Sequence, residues 1–121
     1  MAAKKKVMIV EDEMITAMSL RHELMHLGYE VTDIIASGDE AVKKAFTDMP
    51  STILMDINLI GEMDGIEAIQ KIHEQMPIPV IYMTGYSTKE IKDRALQTAP
   101  LAYLEKPVNI QHIRKILERQ C

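Results

Sequence analysis

Five short apolar runs alternate along the chain with five stretches of helical period. The runs are Val7–Val10, Val31–Ile35, Ile53–Met55, Val80–Met83 and Leu101–Leu104. Four of them are continuous, the pattern of strands buried on both faces of a parallel sheet. The second, inside Glu30-Val31-Thr32-Asp33-Ile34, is more polar and reads as an edge strand. Between them the spacing predicts helices. Ile15–Leu27 places Ala17, Leu20, Leu24 and Leu27 on one face, with Gly28 as terminator. Gly38–Asp48 presents Ala41, Val42 and Ala45. Gly65–Gln75 presents Ile66, Ile69 and Ile72 and stops before Pro77. Ser87–Thr98 presents Ile91, Ala95 and Leu96, with Ser87 and Glu90 as a capping box. Asn109–Gln120 presents Ile110, Ile113, Ile116 and Leu117 behind an Asn109 cap. Strand–helix alternation of this kind predicts an α/β, doubly wound parallel sheet with helices on both faces and right-handed crossovers. Pattern leaves the strand order open between flavodoxin-like 2-1-3-4-5 and a Rossmann half.

Composition adds limits. With 121 residues the chain fits a single domain, 1–121. A hydrophobic share of 47% and a charged share of 26% are ordinary for a globular domain. Eighteen acids against fourteen bases give a net charge of −4, which argues against direct nucleic-acid binding. The single cysteine, Cys121, excludes an internal disulfide framework and a cysteine-based zinc site. No apolar run approaches the roughly 20 residues of a membrane span. Met1-Ala2-Ala3-Lys4-Lys5-Lys6 imitates the start of a signal peptide, but Val7–Val10 is too short to complete one. A cytoplasmic location is the expectation.

In open parallel sheets, ligands bind outside the carboxyl ends of the strands. There this sequence carries Glu11, Asp12 and Glu13 after strand 1 and Asp56 after strand 3. Thr84 and Gly85 follow strand 4, and Glu105, Lys106 and Pro107 follow strand 5. Clustered carboxylates repel unless a cation sits between them. Oxygen ligands in modest number suit Mg²⁺. A carboxylate can also accept a phosphoryl group as nucleophile, and the transfer needs charge neutralisation by metal, lysine and hydroxyl donors. An Asp after a strand is often only a turn former. Four strand ends carrying the right chemistry together make chance a poor account.

At this point the sequence resembles the receiver domains of two-component response regulators. The strings that carry the resemblance are Val7-Met8-Ile9-Val10-Glu11-Asp12, Ile53-Leu54-Met55-Asp56, Met63-Asp64-Gly65, Pro79-Val80-Ile81-Tyr82-Met83-Thr84 and Tyr103-Leu104-Glu105-Lys106-Pro107. They stand in the family's order over essentially the whole chain. The resemblance implies strand order 2-1-3-4-5. It implies Asp56 as acceptor of a phosphoryl group from a sensor histidine kinase or phosphotransfer protein. It implies Mg²⁺ held by Asp12 and Asp56, by Glu11 through water, and by the backbone carbonyl of Asn58. Lys106 is expected to pair with the phosphoryl oxygens and Thr84 to move inward onto one of them. Tyr103 matches an aromatic switch position, and Lys106–Pro107 is expected to be cis. The implied output surface is helix 4, strand 5 and helix 5, near Lys89, Lys92, Leu101, Tyr103 and His112. A downstream protein or output domain would bind there, with a homodimer through that face as a further option. The domain is expected to regulate rather than to act as an enzyme on a separate substrate. Its own chemistry is phosphoryl acceptance and later hydrolysis.

The sequence also departs from the family. The loop Ile57–Met63 is one residue longer than the commonest form and lacks a usual proline. Position 11 more often holds Asp. Asn58 and Tyr86 stand at variable positions flanking the acceptor, where they would tune phosphoryl lifetime. The chain ends just after helix 5, so it fits a stand-alone regulator or one domain of a longer protein. Two other readings compete. A flavodoxin-like FMN carrier would need a phosphate-cradling loop where Glu11-Asp12-Glu13 stands. A pseudo-receiver that never accepts phosphate would usually lack a key residue. His22-Glu23-Leu24-Met25-His26 matches a zinc-protease string. Helical spacing puts both histidines opposite the buried face, so a solvated polar face is expected instead. The ten methionines are expected to be mostly core filling, with Met8, Met55 and Met83 inside strands. His73 and His112 are expected at the surface.

Overall fold

A computed structural model of the chain describes residues 5–120. Met1 to Lys4 and Cys121 lie outside them. The elements run β1 (Lys6–Val10), α1 (Met14–His26), β2 (Glu30–Ile35), α2 (Gly38–Asp48), β3 (Thr52–Asp56), α3 (Gly65–His73), β4 (Val80–Thr84), α4 (Lys89–Leu96), β5 (Ala102–Glu105) and α5 (Ile110–Glu118). The five strands form one parallel sheet in the order β2-β1-β3-β4-β5. This is the flavodoxin-like order, so the Rossmann alternative drops out.

Alternate side chains of each inner strand point to opposite faces, and both faces are apolar. Met8, Val10, Ile53, Met55, Val80 and Tyr82 pack with α2, α3 and the Ala95 side of α4. Val7, Ile9, Leu54, Ile81 and Met83 pack with α1 and α5 through Leu20, Leu24, Ile113 and Leu117. Burying each such aliphatic side chain contributes about 1.5–3 kcal/mol. The unbroken apolar runs therefore follow from helices covering the sheet on both sides.

Several expectations are corrected. The continuous run Leu101–Leu104 does not form a doubly buried strand. β5 is the second edge, with all four residues of the run only half-buried. The capping box Ser87/Glu90 does not form: α4 starts two residues later, and Thr88 accepts from the Ile91 amide. Leu96 is half-exposed rather than core-facing. The methionines divide: Met8, Met55 and Met83 are buried and Met63 and Met76 pack partly buried against the core, while Met14, Met18, Met25 and Met49 are exposed. A hydropathy pattern scores a thioether alike on either face of a helix, so only packing distinguishes them. His73 is half-buried, its Nε2 2.8 Å from the Ile78 carbonyl. His22 and His26 are exposed, with stacked rings 6.3 Å apart.

Register places the site. Val10 lies opposite Met55, Asp56 opposite Met83, and Thr84 opposite Glu105. The residues just beyond β1, β3, β4 and β5 therefore emerge at one end of the sheet.

Candidate functional site

Glu11 is drawn inward because its amide donates to the Ile35 carbonyl at 2.8 Å, extending the β1 ladder by one residue. Its side chain is fully buried. Oε1 lies 2.6 Å from the Lys106 ammonium, and Oε2 accepts from the Glu13 amide at 3.1 Å. Lys106 also lies 3.3 Å from Asp56 Oδ2. Asp56 is itself 2% exposed, and its Oδ1 accepts from the Asn58 amide at 2.9 Å. Asp12, half-buried, accepts the Ile60 amide on Oδ2 at 3.0 Å. The longer loop 57–63 thus folds back onto this carboxylate. Oxygens of Glu11, Asp12 and Asp56 lie within 4.8 Å of one another.

One lysine faces three carboxylates, and the electrostatics show the mismatch. Burial disfavours the charged form of Glu11, and the neighbouring Asp56 adds to it. The hydrogen bond from Lys106 opposes both, yet the carboxyl is still pushed up to about 7. Burial alone would lower Lys106, but Glu11 and Asp56 outweigh it and hold the ammonium above its ordinary range. A cluster of hard oxygen donors with surplus negative charge fits Mg²⁺ or a similar cation. Gly65 keeps the floor of the site close: a Cβ there would stand 2.3 Å from the Asp56 carbonyl.

Thr84 sits beside this group, 1% exposed. Its Oγ1 lies 2.8 Å from Asn58 Oδ1 and 2.6 Å from the Tyr86 carbonyl, and accepts from the Tyr86 amide at 3.1 Å. Tyr103 on β5 is half-buried, its hydroxyl paired with Ser87 and its ring under Lys92 at 5.7 Å. Ser87 therefore serves Tyr103, which accounts for the cap shifting to Thr88. The Lys106–Pro107 peptide is cis. The fold thus brings Glu11, Asp12, Asp56, Asn58, Thr84 and Lys106 to one place, with Tyr103 farther along β5. Reading the strand ends does not reveal the Ile60 amide, the Asn58 side-chain contacts or the Ser87–Tyr103 pair. The sequence signals for these contacts are the unusual length of loop 57–63 and the placing of Asn58 and Tyr86 beside the acceptor.

The family model "Response regulator receiver domain" matches residues 7–118. Transcriptional regulatory protein PdtaR of Mycobacterium tuberculosis is 32% identical over 117 residues, spanning 97% of this chain and 57% of that protein. Protein-glutamate methylesterase/protein-glutamine glutaminase 1 of Syntrophus aciditrophicus is 39% identical over 107 residues, spanning 84% of this chain and 30% of that protein. This chain therefore covers little more than half, or less, of those relatives. The signal receiver domain of a modulated diguanylate cyclase from Desulfovibrio desulfuricans superposes with a TM-score of 0.91 at 34% identity, covering 97% of this chain and 93% of that one. The receiver domain of sensor histidine kinase PA1611 from Pseudomonas aeruginosa has a TM-score of 0.85 at 31% identity, covering 97% of both chains. Its structure holds a magnesium ion in the active-site cleft.

Proposed function

Because the chain belongs to the response regulator receiver domain family of two-component signalling, we propose that Asp56 is the phosphoryl acceptor of a phosphorylation-dependent switch. The observation that carries this reading is one ammonium, Lys106, within reach of both Glu11 and Asp56 in a cluster of three carboxylates. The donor is a histidine kinase or phosphotransfer protein bearing a phosphohistidine. An Asp56 oxygen bonds to phosphorus as the P–N bond breaks, and the departing imidazole takes up a proton. Lys106 stays beside the acceptor and offsets the charge on the phosphoryl oxygens. Asp12 and Asp56 would hold Mg²⁺ directly, Glu11 through water, and the Asn58 carbonyl as a further ligand. That ion, when bound, supplies additional charge neutralisation at the phosphoryl group. Hydrolysis reverses the state: water attacks phosphorus, the Asp56 O–P bond opens and inorganic phosphate leaves.

The new charge biases a two-state equilibrium. Thr84 turns toward the phosphoryl oxygens, Tyr103 follows, and the α4–β5–α5 face presents a changed surface to a downstream protein or output domain. A flavodoxin-like carrier is not favoured, since acidic residues stand where a phosphate cradle would be. A pseudo-receiver is not favoured either, since Asp12, Asp56, Thr84 and Lys106 all stand in the pocket. Trapping tests the assignment. After phosphorylation with acetyl phosphate and Mg²⁺, borohydride reduction and peptide mapping should locate the acyl phosphate on Asp56. Recovery at another carboxylate, or a phosphoramidate on a histidine, would contradict it.

A further inference from the structure

The side chain of Asn58 makes contacts that the phosphoryl chemistry does not use. Its Oδ1 lies 2.8 Å from the Thr84 hydroxyl and accepts from the Gly85 amide at 3.2 Å. Its Nδ2 donates to the Tyr86 carbonyl at 3.3 Å. One amide group two residues beyond the acceptor therefore grips three consecutive residues of the β4–α4 turn. Thr84 is the residue that must change partners when a phosphoryl group arrives. A hydroxyl has one proton to give. Here that proton is shared between two acceptors, Asn58 Oδ1 in the β3–α3 loop and the Tyr86 carbonyl in the β4–α4 turn, and neither belongs to Asp56.

We infer that the Asn58 side chain is a latch: it holds Thr84 outward in the unphosphorylated protein and sets how rarely the inward setting is sampled. This rests on the switch reading above. A phosphoryl oxygen competes well for the Thr84 proton because hydrogen bonds to charged acceptors are stronger than those to neutral amides. The latch is thus strong enough to hold the resting state and weak enough to yield to a charge. Asn58 is a positioning residue by side chain, separate from any ligand role of its carbonyl. Its removal deletes one of the two acceptors of the Thr84 proton. The outward setting should lose about fivefold in its population ratio, the worth of one neutral hydrogen bond.

The Tyr86 amide supplies the readout: it donates to Thr84 Oγ1, while the Asn58 side chain reaches Tyr86 only at its carbonyl. When Thr84 leaves, that amide loses its acceptor. Amide exchange at Tyr86, measured by NMR on the full unphosphorylated chain, should quicken about fivefold in Asn58→Ala. It should be no faster than wild type in Asn58→Asp, which keeps an oxygen able to accept from Thr84 and Gly85 and makes it a charged one. Phosphoryl capture from acetyl phosphate should be faster in Asn58→Ala than in wild type. An unchanged Tyr86 exchange rate in Asn58→Ala, or capture no faster than wild type, would overturn the latch. If neither protein is phosphorylated by any donor, the switch reading fails, and Tyr86 exchange alone decides the latch.

Discussion

Lys106 is the residue on which the pocket's balance turns. It neutralises two buried carboxylates, and removing one partner of a buried ion pair leaves the other charge uncompensated. With its side chain a quarter exposed and Glu11 almost fully buried, Lys106→Ala should cost about 2–3 kcal/mol of stability at pH 8. The loss should shrink at pH 5.5, because Glu11 then carries its own proton. Urea unfolding of both proteins at the two pH values checks this; an equal loss at both would contradict it. The sign for Glu11 itself follows from its raised pKa. Its contribution to stability is fully present below the ordinary value of 4.5 and is lost as pH rises through about 7. A divalent cation must displace that proton. The rise in melting temperature produced by Mg²⁺ should therefore be larger at pH 8 than at pH 5.5. A rise that is the same or smaller at pH 8 would refute a role for the Glu11 carboxylate at the cation site.

Among the elements, helices show where sequence reading succeeds and where it stops. α5 could be placed from Asn109 because one polar side chain stands alone before an apolar stripe, and its Oδ1 accepts from the Gln111 amide at 2.8 Å. α4 was read from Ser87, but the adjacent Thr88 hydroxyl caps it while Ser87 pairs with the Tyr103 hydroxyl. The edge position of β5 was hidden for a similar reason. A continuous apolar run reports burial in general, and the half-burial of Leu101 to Leu104 goes with the place of β5 at the edge of the sheet. At the end of α2, Met49 sits in the left-handed region at φ 47° and is 65% exposed. A non-glycine residue there costs roughly 1–2 kcal/mol, and its side chain returns little by packing. Met49→Gly should raise stability by about 1 kcal/mol, offset in part by greater freedom of the unfolded chain. A denaturant midpoint that falls in this variant would show that the exposed thioether packs more than its exposure indicates.

For the molecule as a whole, the strand ends were readable because an open parallel sheet gathers them at one edge whatever the strand order. Asp12, Asp56, Thr84 and Lys106 are therefore recoverable as a group from position alone. Pairing order needed the resemblance or the structure, since apolar runs do not specify their neighbours. The contacts of Asn58 and Ile60 come from the structure alone, because they depend on how a seven-residue loop closes. The mild excess of acid becomes meaningful only on the fold. Glu11, Asp12 and Asp56 concentrate it at one mouth, where Lys106 answers part of it and a cation and a phosphoryl group would answer the rest. In the proposed switch, everything in this pocket serves phosphoryl transfer to Asp56. Intact-mass measurement after incubation with acetyl phosphate tests it most directly, run with Mg²⁺ or EDTA and on wild type and Asp56→Asn. The expected result is one added phosphoryl group per wild-type chain with Mg²⁺, little with EDTA, and none on Asp56→Asn. A wild-type chain that stays unmodified with this donor and with a cognate kinase, or an Asp56→Asn chain labelled as fully as wild type, would contradict it.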